Sequence, residues 1–506
     1  MKKFLSLIIG LSVLLSCTNL DEKIYSNISK EDFFTSEEQF VKYAARAYAS
    51  LQAWGTEKSL WTFNIQITNE ICVPLNPNGK WWDDGRYYDV HIHSISNSNR
   101  LLEMAYNFCM DGITACNDVL DVFEDVEMDF DGKESVIAEV KVLRAYYYMC
   151  AIDGWGDVPY SVSKKEKGLP EKKDRAFVFN FLVKEITDNL DKLQVDPTPA
   201  YYGRITRGAA NAILAKLYLN AEKWTGTPMW EEAEKACFDI IKSGKYSLAP
   251  KYKDNFQVNN ELCPEQILAI PYSTVYTTDD HHAFVIFMST LPADLCRPLG
   301  LNTDAWDGLV GEPDFLASYE SGDTRKTDTW LFGQIYDKDG NAIEYEPGVP
   351  YVIDPDMPES VFGKDARRTA LQGARIGKWT YQSDGRLTGD DTSMENDFFL
   401  LRYADVVLMY VEALVRQGRA GEAAGLPEFQ QIRTRAGLTP MTAGELTLEN
   451  LYWERAHELA LEGWQRQDMI RFDKYLEAWW NKPEKTEKDF ILPIPKSAIA
   501  ANPNLK

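Results

Sequence analysis

Apolar residues follow a helical period over residues 136–147. The stripe consists of Val136, Val140, Leu143 and Tyr147. Spacings of three and four residues place such side chains on one face of a helix. Asp131 and Glu134 precede the stripe with the spacing of a capping box, and Gly154 and Pro159 follow it. The pattern predicts one helix of about 20 residues that ends near Gly154.

A second block, residues 204–246, predicts a pair of helices joined by a turn. The first helix carries Ala209, Ala212 and Ala215, and the second carries Ala233, Ala236 and Ile240. Gly226 and Pro228 lie between them and are typical of a turn. Small residues at this spacing allow two antiparallel helices to approach closely. The block therefore looks like a degenerate tetratricopeptide repeat (TPR) with a widened turn.

Residues 401–438 repeat this design. Their apolar stripe consists of Ala404, Val407, Leu408, Val411 and Leu414. Gly418 marks a turn, and we expect a second helix from Gly421 to Arg435. Because the repeated units are not in tandem, the sequence predicts an interrupted helical scaffold, roughly residues 99–244 and 398–482.

Elsewhere the helical period disappears. Residues 55–98 and 245–397 are rich in proline, glycine, aspartate and aromatic residues, with short strand-like pieces such as "EQILAIPYS". Long ordered loops on a rigid scaffold often carry binding residues. We therefore expect a single mainly α body, residues 17–506, in which these two irregular segments form the ligand side.

The N-terminus has the pattern of an export signal. Lys2 and Lys3 precede an apolar run over residues 4–15, which is too short to span a bilayer as a helix. The run ends in "LLSC", which resembles the lipobox of bacterial lipoproteins. This resemblance implies a signal peptide at residues 1–16 and a lipidated Cys17 as the first mature residue. The alternative is an ordinary secretory signal with a chance cysteine.

The amino-acid composition limits the chemical classes of partner that the protein can bind. Hydrophobic residues make up 45% of the 506 residues and charged residues 26%, which is typical of a globular protein. The formal net charge of −23 at pH 7 repels nucleic acid and most polyanions. The charge therefore favours a neutral or weakly charged partner.

The cysteines do not predict a disulfide framework. Seven remain after Cys17, and an odd number cannot all pair within one chain. Cys150 and Cys237 lie within helical patterns, where a small buried hydrophobic residue fits. We expect mostly structural thiols, with any pairing left open.

Signatures of catalysis are incomplete. Glu454 and His457 form one Glu-x-x-His motif on a predicted helix, whereas a di-iron bundle needs two. The chain has no GxSxG, GxxxxGK[ST] or GxGxxG motif. Glutamates also recur at i, i+4 in a row near two arginines, and we interpret this row as ion pairs between the last helices. The row comprises Glu454, Glu458 and Glu462, with Arg455 and Arg466 beside it. We predict no metal site and no cofactor.

Eight ordered segments resemble the hallmark blocks of the SusD/RagB family. They are the lipobox, "SEEQFVKYAARAYASL", "EVKVLRAYYYMCAIDGWGDVPY", "RITRGAANAILAKLYL", "FLLRYADVVLMYVEAL", "IRTRAGL", "ERAHELALEGWQRQDMIRF" and "ILPIPKSAIAANPNLK". Together they cover nearly the whole mature chain. The resemblance implies a SusD-like fold that is mainly α, with four TPR-like helix pairs as scaffold plus an irregular loop-rich lobe with short strands.

The resemblance also implies a location and partners. Members of the family are lipid-anchored proteins of the outer-membrane surface and are not enzymes. Each acts as a lid on a SusC-like TonB-dependent transporter, and together the two proteins bind oligosaccharides and import them. We therefore expect a glycan ligand, a transporter partner and no nucleic acid.

The stretch "GKWWDDGRYYDVH", residues 79–91, suits such a ligand. Sugar rings present C–H faces flanked by hydroxyls, so a binding site needs exposed aromatic faces with hydrogen-bonding side chains at their edges. The candidate ligand residues here are Trp81, Trp82, Asp83, Arg86 and Tyr88, with Asp84 and Tyr87 beside them. Of the two adjacent tryptophans, we expect one to be buried and one to be available.

The second irregular segment supplies further candidates. They are Trp306 and Trp330, with Asp304, Asp307 and Arg325 as polar partners. The family's ligand aromatics come from such loops, but no fixed motif marks them. These positions are therefore hypotheses from residue type and setting.

Two other functions stay open. Peptide capture would use backbone-pairing strands and apolar pockets, and a surface glycosidase would need two carboxylates about 5–10 Å apart across a cleft. The acidic balance of the chain mildly disfavours sulfated or uronic-acid glycans. A local basic cluster such as Arg367, Arg368 and Arg375 could override this preference.

Overall fold

The structure is a computed structural model that describes residues 34–506, apart from positions 35, 57–58, 128, 278–283 and 382–393. The predicted signal peptide at residues 1–16 and the predicted lipidation site Cys17 lie outside the described residues. Within the described ranges, no helix is both long enough and apolar enough to cross a lipid bilayer.

Helices account for most of the regular structure. In chain order the α-helices of the described residues are α1 (Glu37–Gln52), α2 (Leu60–Gln66), α3 (Arg86–His91), α4 (Arg100–Asp125), α5 (Lys133–Trp155), α6 (Arg175–Asn189), α7 (Arg207–Thr225), α8 (Trp230–Ser243), α9 (Ile286–Thr290), α10 (Ala293–Cys296), α11 (Pro313–Ala317), α12 (Thr324–Thr329), α13 (Tyr403–Arg416), α14 (Ala420–Ala424), α15 (Pro427–Arg435), α16 (Leu448–Glu458), α17 (Gln465–Arg471) and α18 (Lys496–Ala501).

The strands are short and pair two by two. They are β1 (Ile71–Cys72), β2 (Val158–Pro159), β3 (Lys172–Lys173), β4 (Gln266–Ile270), β5 (Val310–Gly311), β6 (Trp330–Leu331), β7 (Gly333–Gln334), β8 (Glu344–Glu346), β9 (Val349–Pro350), β10 (Val352–Ile353), β11 (Arg375–Ile376) and β12 (Phe398–Arg402). The antiparallel pairs are β1–β5, β2–β3, β4–β12, β6–β11, β7–β10 and β8–β9. The prediction of a mainly α fold with short strands is confirmed.

The long helices pack in chain order and form the scaffold. Helix α4 packs on α5, α5 on α6, α6 on α7 and α7 on α8, and α8 then contacts α13 across the molecule. A Cβ atom at Gly112 of α4 would lie 2.3 Å from the ring of Tyr147 on α5, so glycine permits this close approach. The predicted helix pair at residues 204–246 is confirmed as α7 and α8. The likeness of the pairs to TPR units stays a prediction.

Two helix boundaries differ from the predictions. The capping box of Asp131 and Glu134 is wrong, because α5 starts after Gly132, whose φ of +98° turns the chain without a side-chain cap. The helix expected at residues 421–435 is divided into α14 and α15. Pro427 lacks a backbone N–H and opens α15, so one continuous helix cannot run through it.

The row of glutamates on and after α16 belongs to a buried ion network. Arg402 shows how tightly its members are joined: its guanidinium lies 2.8 Å from Glu458 and 2.8 Å from Glu462. We call the set the core ion network, and it comprises Glu265, Arg325, Lys378, Arg402, Arg433, Arg435, Glu454, Glu458 and Glu462. The side chains of all nine are at most about 5% exposed.

The two arginines expected beside this row take other partners. Arg455 Nε lies 2.9 Å from Asp468 Oδ2, and Arg466 Nη1 lies 2.9 Å from Asp153 Oδ2. The predicted ion-pair row is present, but the network's cations come from distant chain positions between 325 and 435. Spacing along one helix cannot reveal such partners.

Three histidines are buried with their rings hydrogen-bonded. Nε2 of His91 lies 2.9 Å from the Trp480 carbonyl oxygen, and Nε2 of His93 lies 2.8 Å from that of Ile67. His457, of the Glu-x-x-His motif, shares a 2.8 Å hydrogen bond with Ser318 Oγ. Burial lowers the pKa of His91 to about 4, and it lowers the pKa of His93 and of His457 well below the ordinary value.

The seven described cysteines are unpaired thiols, and all but Cys263 are buried. Burial raises the pKa of Cys150 to about 12, which keeps this thiol protonated and unreactive. The prediction of structural thiols therefore agrees with the packing of Cys150 in α5 and Cys237 in α8.

Candidate ligand-binding cleft

A cleft of about 1010 Å³ lies where the two irregular segments meet the start of α4. Its walls are residues 76–83, 86–87, 100–101, 104, 292–294 and 305–307, together with Tyr345 and Ala370. A cavity of this size accommodates several sugar rings or a short peptide. We call this cavity the cleft.

A tight turn at residues 76–80 builds one edge of the cleft. Asn76 Oδ1 accepts hydrogen bonds from the backbone N–H groups of Asn78 and Lys80, both at 3.0 Å. Gly79 has a φ of +72°, and the guanidinium of Arg367 lies directly against it, 3.1 Å from where a Cβ atom would stand. The asparagine thus fixes the loop by mimicking a backbone turn.

Trp81 links two walls of the cleft, the segment at residues 76–83 and the segment at residues 305–307. Its Nε1–H donates to the Trp306 carbonyl oxygen at 2.8 Å, and a Cβ atom at Gly308 would lie 2.2 Å from its ring. Trp81 itself has a φ of +78°, which is unusual for a bulky residue and costs about 1–3 kcal/mol of backbone strain. The indole contacts across the cleft hold the residue in this conformation.

Trp82 and Trp306 present ring surface to the cleft. Trp82 is half-buried, with its ring next to Gly85 and 5.9 Å from that of Tyr88. The side chain of Trp306 is 38% exposed, while its backbone N–H donates to the Met288 carbonyl oxygen at 2.7 Å. The expectation that one of the two adjacent tryptophans is buried is wrong, because Trp81 and Trp82 are both half-buried and both line the cleft.

Charged groups surround these rings. Arg86 Nε–H donates to the Asp83 carbonyl oxygen at 2.8 Å, and the Asp83 side chain is exposed. On the facing wall, Asp307 Oδ1 lies 2.5 Å from Arg368 and 3.1 Å from Arg375. Both of these arginines are buried behind the cleft surface, and from there they hold Asp307 in place.

Tyr87 and Tyr88 take different sides of α3. Tyr87 lines the cleft, and its ring lies 5.4 Å from that of Trp81. Tyr88 does not line the cleft; it packs on Phe362 at 5.1 Å in a separate hydrophobic cluster. Consecutive helical residues point about 100° apart, so only one of the two can face the ligand space. The proposal of Tyr88 as a ligand residue is corrected to Tyr87.

Family models match both halves of the chain. A model described as "SusD family" matches residues 239–506, and one described as "Starch-binding associating with outer membrane" matches residues 19–219. The chain belongs to the SusD family. The resemblance stated from the sequence blocks is therefore confirmed.

Individual relatives cover most of the chain. The starch-binding protein SusD of Bacteroides thetaiotaomicron is 27% identical over 402 residues, which are 73% of this chain and 71% of that protein. Surface glycan-binding protein A from the same organism has a TM-score of 0.75 at 19% identity and covers 94% of this chain and 99% of its own. Its complex with laminarihexaose has a TM-score of 0.73 at 18% identity, covering 93% and 99%. These structures establish the SusD-like fold.

Two of the predicted ligand residues are inaccessible within this SusD-family fold. Trp330 is 2% exposed, lies in β6, and donates through Nε1–H to Tyr319 Oη at 3.3 Å. Arg325 is fully buried in the core ion network. Both are withdrawn as ligand candidates because a sugar cannot reach them. Asp304 is exposed but does not line the cleft.

The remaining predicted residues meet at the cleft. Trp81, Trp82, Asp83, Arg86, Trp306 and Asp307 all line it, and ligand contact by these residues stays a prediction. The sequence reasoning missed Asn76, Lys80, Arg100, Asp294 and Tyr345. Arg100 had a signal, because a cation in the first turn of a helix opposes the helix dipole and suggests a purpose other than helix stability.

Proposed function

We propose that this protein captures an oligosaccharide in the cleft and delivers it to a SusC-like TonB-dependent outer-membrane transporter. The observation that carries the proposal is the pair of available tryptophan rings, Trp82 and Trp306, in one cleft with hydrogen-bonding side chains at their edges. C–H faces of sugars stack on such rings, and the hydroxyls between them bind polar groups.

The relatives support a glycan as the ligand. One is named as a starch-binding protein, and another was solved with laminarihexaose. The family description of association with the outer membrane supports the location. In this proposal Cys17 carries a lipid that anchors the chain at the cell surface, and the protein binds its ligand without chemical change.

Calorimetry tests the proposal directly. The lipid-free protein, residues 18–506, is titrated with a panel of neutral and acidic oligosaccharides, and the titration is repeated with Trp82→Ala and Trp306→Ala. We expect each substitution to weaken binding of the best ligand about fivefold or more, since aromatic contacts of this kind are worth about 1 kcal/mol or more. Phe238→Ala, at an exposed aromatic position on α8, is the matched control and should leave affinity unchanged.

The same samples separate the alternatives. A release of reducing ends would show a glycosidase and overturn the binding-only proposal. Binding of peptides with no binding of any glycan would turn the function to peptide capture. Copurification of the tagged chain with a large outer-membrane β-barrel protein from detergent-solubilised membranes tests the transporter partner, and its absence would contradict delivery.

A further inference from the structure

The cleft carries cations that have no ion-pair partner among the described residues. Lys80, Arg86 and Arg100 line it, and the exposed Arg367 lies against Gly79 at its edge. In the part of the chain that the structure describes, none of these four side chains forms an ion pair. On a chain with 77 acidic and 54 basic residues, a cluster of unpaired cations is the opposite of what composition favours.

Cations elsewhere on the surface illustrate the contrast. A second cleft, of about 620 Å³, lies beside α4 and the loop at residues 159–173. Two of the three lysines that line it are paired, Lys164 with Asp118 at 2.9 Å and Lys173 with Glu171 at 3.1 Å. An open pocket on this protein therefore does not by itself leave its cations unpaired.

Among the described residues, the carboxylates that line the first cleft form no ion pair with Lys80, Arg86 or Arg100. Asp307 is held by Arg368 and Arg375, which neutralise it from the buried side. Asp294 accepts a 3.3 Å hydrogen bond from the Tyr351 hydroxyl. Asp83 is exposed, and its backbone oxygen rather than its carboxylate receives Arg86. The three lining cations match the three lining carboxylates in number, and Arg367, Arg368 and Arg375 beside them make the summed charge of these side chains positive.

The guanidinium of Arg86 is also oriented for a ligand. Among the described residues only its Nε–H has an acceptor, which leaves the Nη donors for an external acceptor. A guanidinium presents these donors as a planar fork that matches the oxygens of a carboxylate or a sulfate. At physiological ionic strength, charges farther than about 8 Å are largely screened, so the cleft cations outweigh the distant net charge for a bound group.

We propose that the ligand of the cleft is an anionic sugar chain, whose rings stack on Trp82 and Trp306 while its carboxylate or sulfate groups bind Arg86, Arg100 and Lys80. This inference rests on the proposed function and narrows its ligand class. It also reverses the preference for a neutral partner that the net charge indicated. The sequence showed a basic cluster of Arg367, Arg368 and Arg375. Within it Arg367 alone is exposed at the cleft, because Arg368 and Arg375 are buried and form ion pairs with Asp307.

Matched glycans test the charge preference. The purified full chain is screened on an array of plant and algal oligosaccharides in which each acidic chain is paired with its neutral form, carboxyl-reduced for uronates and desulfated for sulfate esters. We expect the acidic form of the best ligand to bind at least about tenfold more tightly than its neutral form. Raising NaCl from about 0.05 M to about 0.5 M should weaken the binding of the acidic form and leave the binding of the neutral form unchanged. The uronate and sulfate arms identify which anion is recognised.

Charge variants then assign the preference to the cleft. Arg86→Gln and Arg100→Gln should each lower the affinity for the acidic form about threefold to tenfold and bring it towards that of the neutral form. Arg100→Lys should keep part of the preference, since the charge remains. Lys235→Gln on α8, an exposed lysine without an ion pair in the described chain, should change nothing.

The failures of the two proposals are distinguishable. Equal or tighter binding of neutral forms, or charge variants that leave the acidic preference intact, would overturn the anionic ligand and leave glycan capture standing. Absence of binding to every glycan on the array, acidic and neutral, would overturn glycan capture itself and the anionic ligand with it.

Discussion

Arginines in the core ion network and arginines at the cleft do opposite things with the same side chain. Arg402 is 1% exposed and contacts three glutamates, Glu265, Glu458 and Glu462. Arg100 is exposed at the cleft and has no carboxylate partner in the described chain. The chain itself satisfies the first guanidinium, whereas the second has donors that, in our proposal, bind a ligand. The presence or absence of a carboxylate partner therefore distinguishes a structural arginine from one that we propose binds a ligand.

The largest expected effect on stability comes from a substitution in the core ion network. Arg402→Met removes a buried cation that Glu265, Glu458 and Glu462 share and leaves them only their remaining partners, so we expect a loss of about 3–5 kcal/mol in the free energy of unfolding. Arg86→Met at the cleft should change the same quantity by less than about 0.5 kcal/mol. Urea unfolding of both variants measures the difference. A loss below about 1 kcal/mol for Arg402→Met would contradict a network that needs its cation.

The next largest effect concerns the link between the cleft walls. Gly308→Ala places a methyl group into the Trp81 ring, so the ring or the loop must shift at a cost of about 1–3 kcal/mol. We expect lower stability together with weaker glycan binding. Gly421→Ala, where nothing lies within 4 Å of the added atom, is the matched control and should be neutral or slightly stabilising. Unchanged ligand affinity in Gly308→Ala would show that the walls do not depend on this contact.

A smaller effect on stability is expected from a buried histidine, His91. Burial lowers the pKa of His91 to about 4, whereas its ordinary value is near 6.5. Between these values the unfolded chain binds a proton that the folded chain does not, so stability falls as the pH falls. From pH 6.5 to pH 5, His91 should contribute between about 1 and 2 kcal/mol of this loss.

Unfolding of wild type and His91→Gln across that pH range isolates the contribution. The variant keeps a donor for the Trp480 carbonyl oxygen but cannot titrate. Its stability should therefore depend less steeply on pH. Two parallel stability profiles would exclude His91 as a source of acid sensitivity.

The smallest expected effect lies on the cleft side. The double variant Arg86→Gln/Arg100→Gln should unfold within about 0.5 kcal/mol of wild type, at low and at high salt, because neither side chain is paired within the described chain. Its binding of acidic glycans is expected to change far more than its stability. A stability loss of several kcal/mol would mean that these arginines are structural, as Arg402 is.

The sequence predicted the scaffold well because the scaffold depends on local periodicity. Helices α7, α8 and α13 follow from apolar spacing, and Gly226 and Gly418 mark the turns after α7 and α13. Pro427 divides a helix that the apolar pattern alone continued, and Gly132 replaced an expected side-chain cap. These misses came from local backbone chemistry that the apolar period does not contain.

The cleft was only half predictable, since tertiary contacts build it. Trp306 and Trp330 look alike in a segment without a period, yet Trp330 enters a β pair and Trp306 stays in a loop. Tyr345 and Asp294 reach the cleft from positions that no local pattern connects to residues 79–91. Aromatic and charged residues in a stretch without periodicity were the signal that did identify one wall.

The hydrogen bond from Trp81 to Trp306 also bears on the rates and entropy of capture. It joins residues 225 positions apart, so the two walls stand assembled before a ligand arrives. A ligand then need not order these rings, each of which would otherwise cost about 0.5–1.5 kcal/mol in lost conformational entropy. Association should proceed at similar speed for many sugars, and selectivity should reside in how slowly the right one leaves.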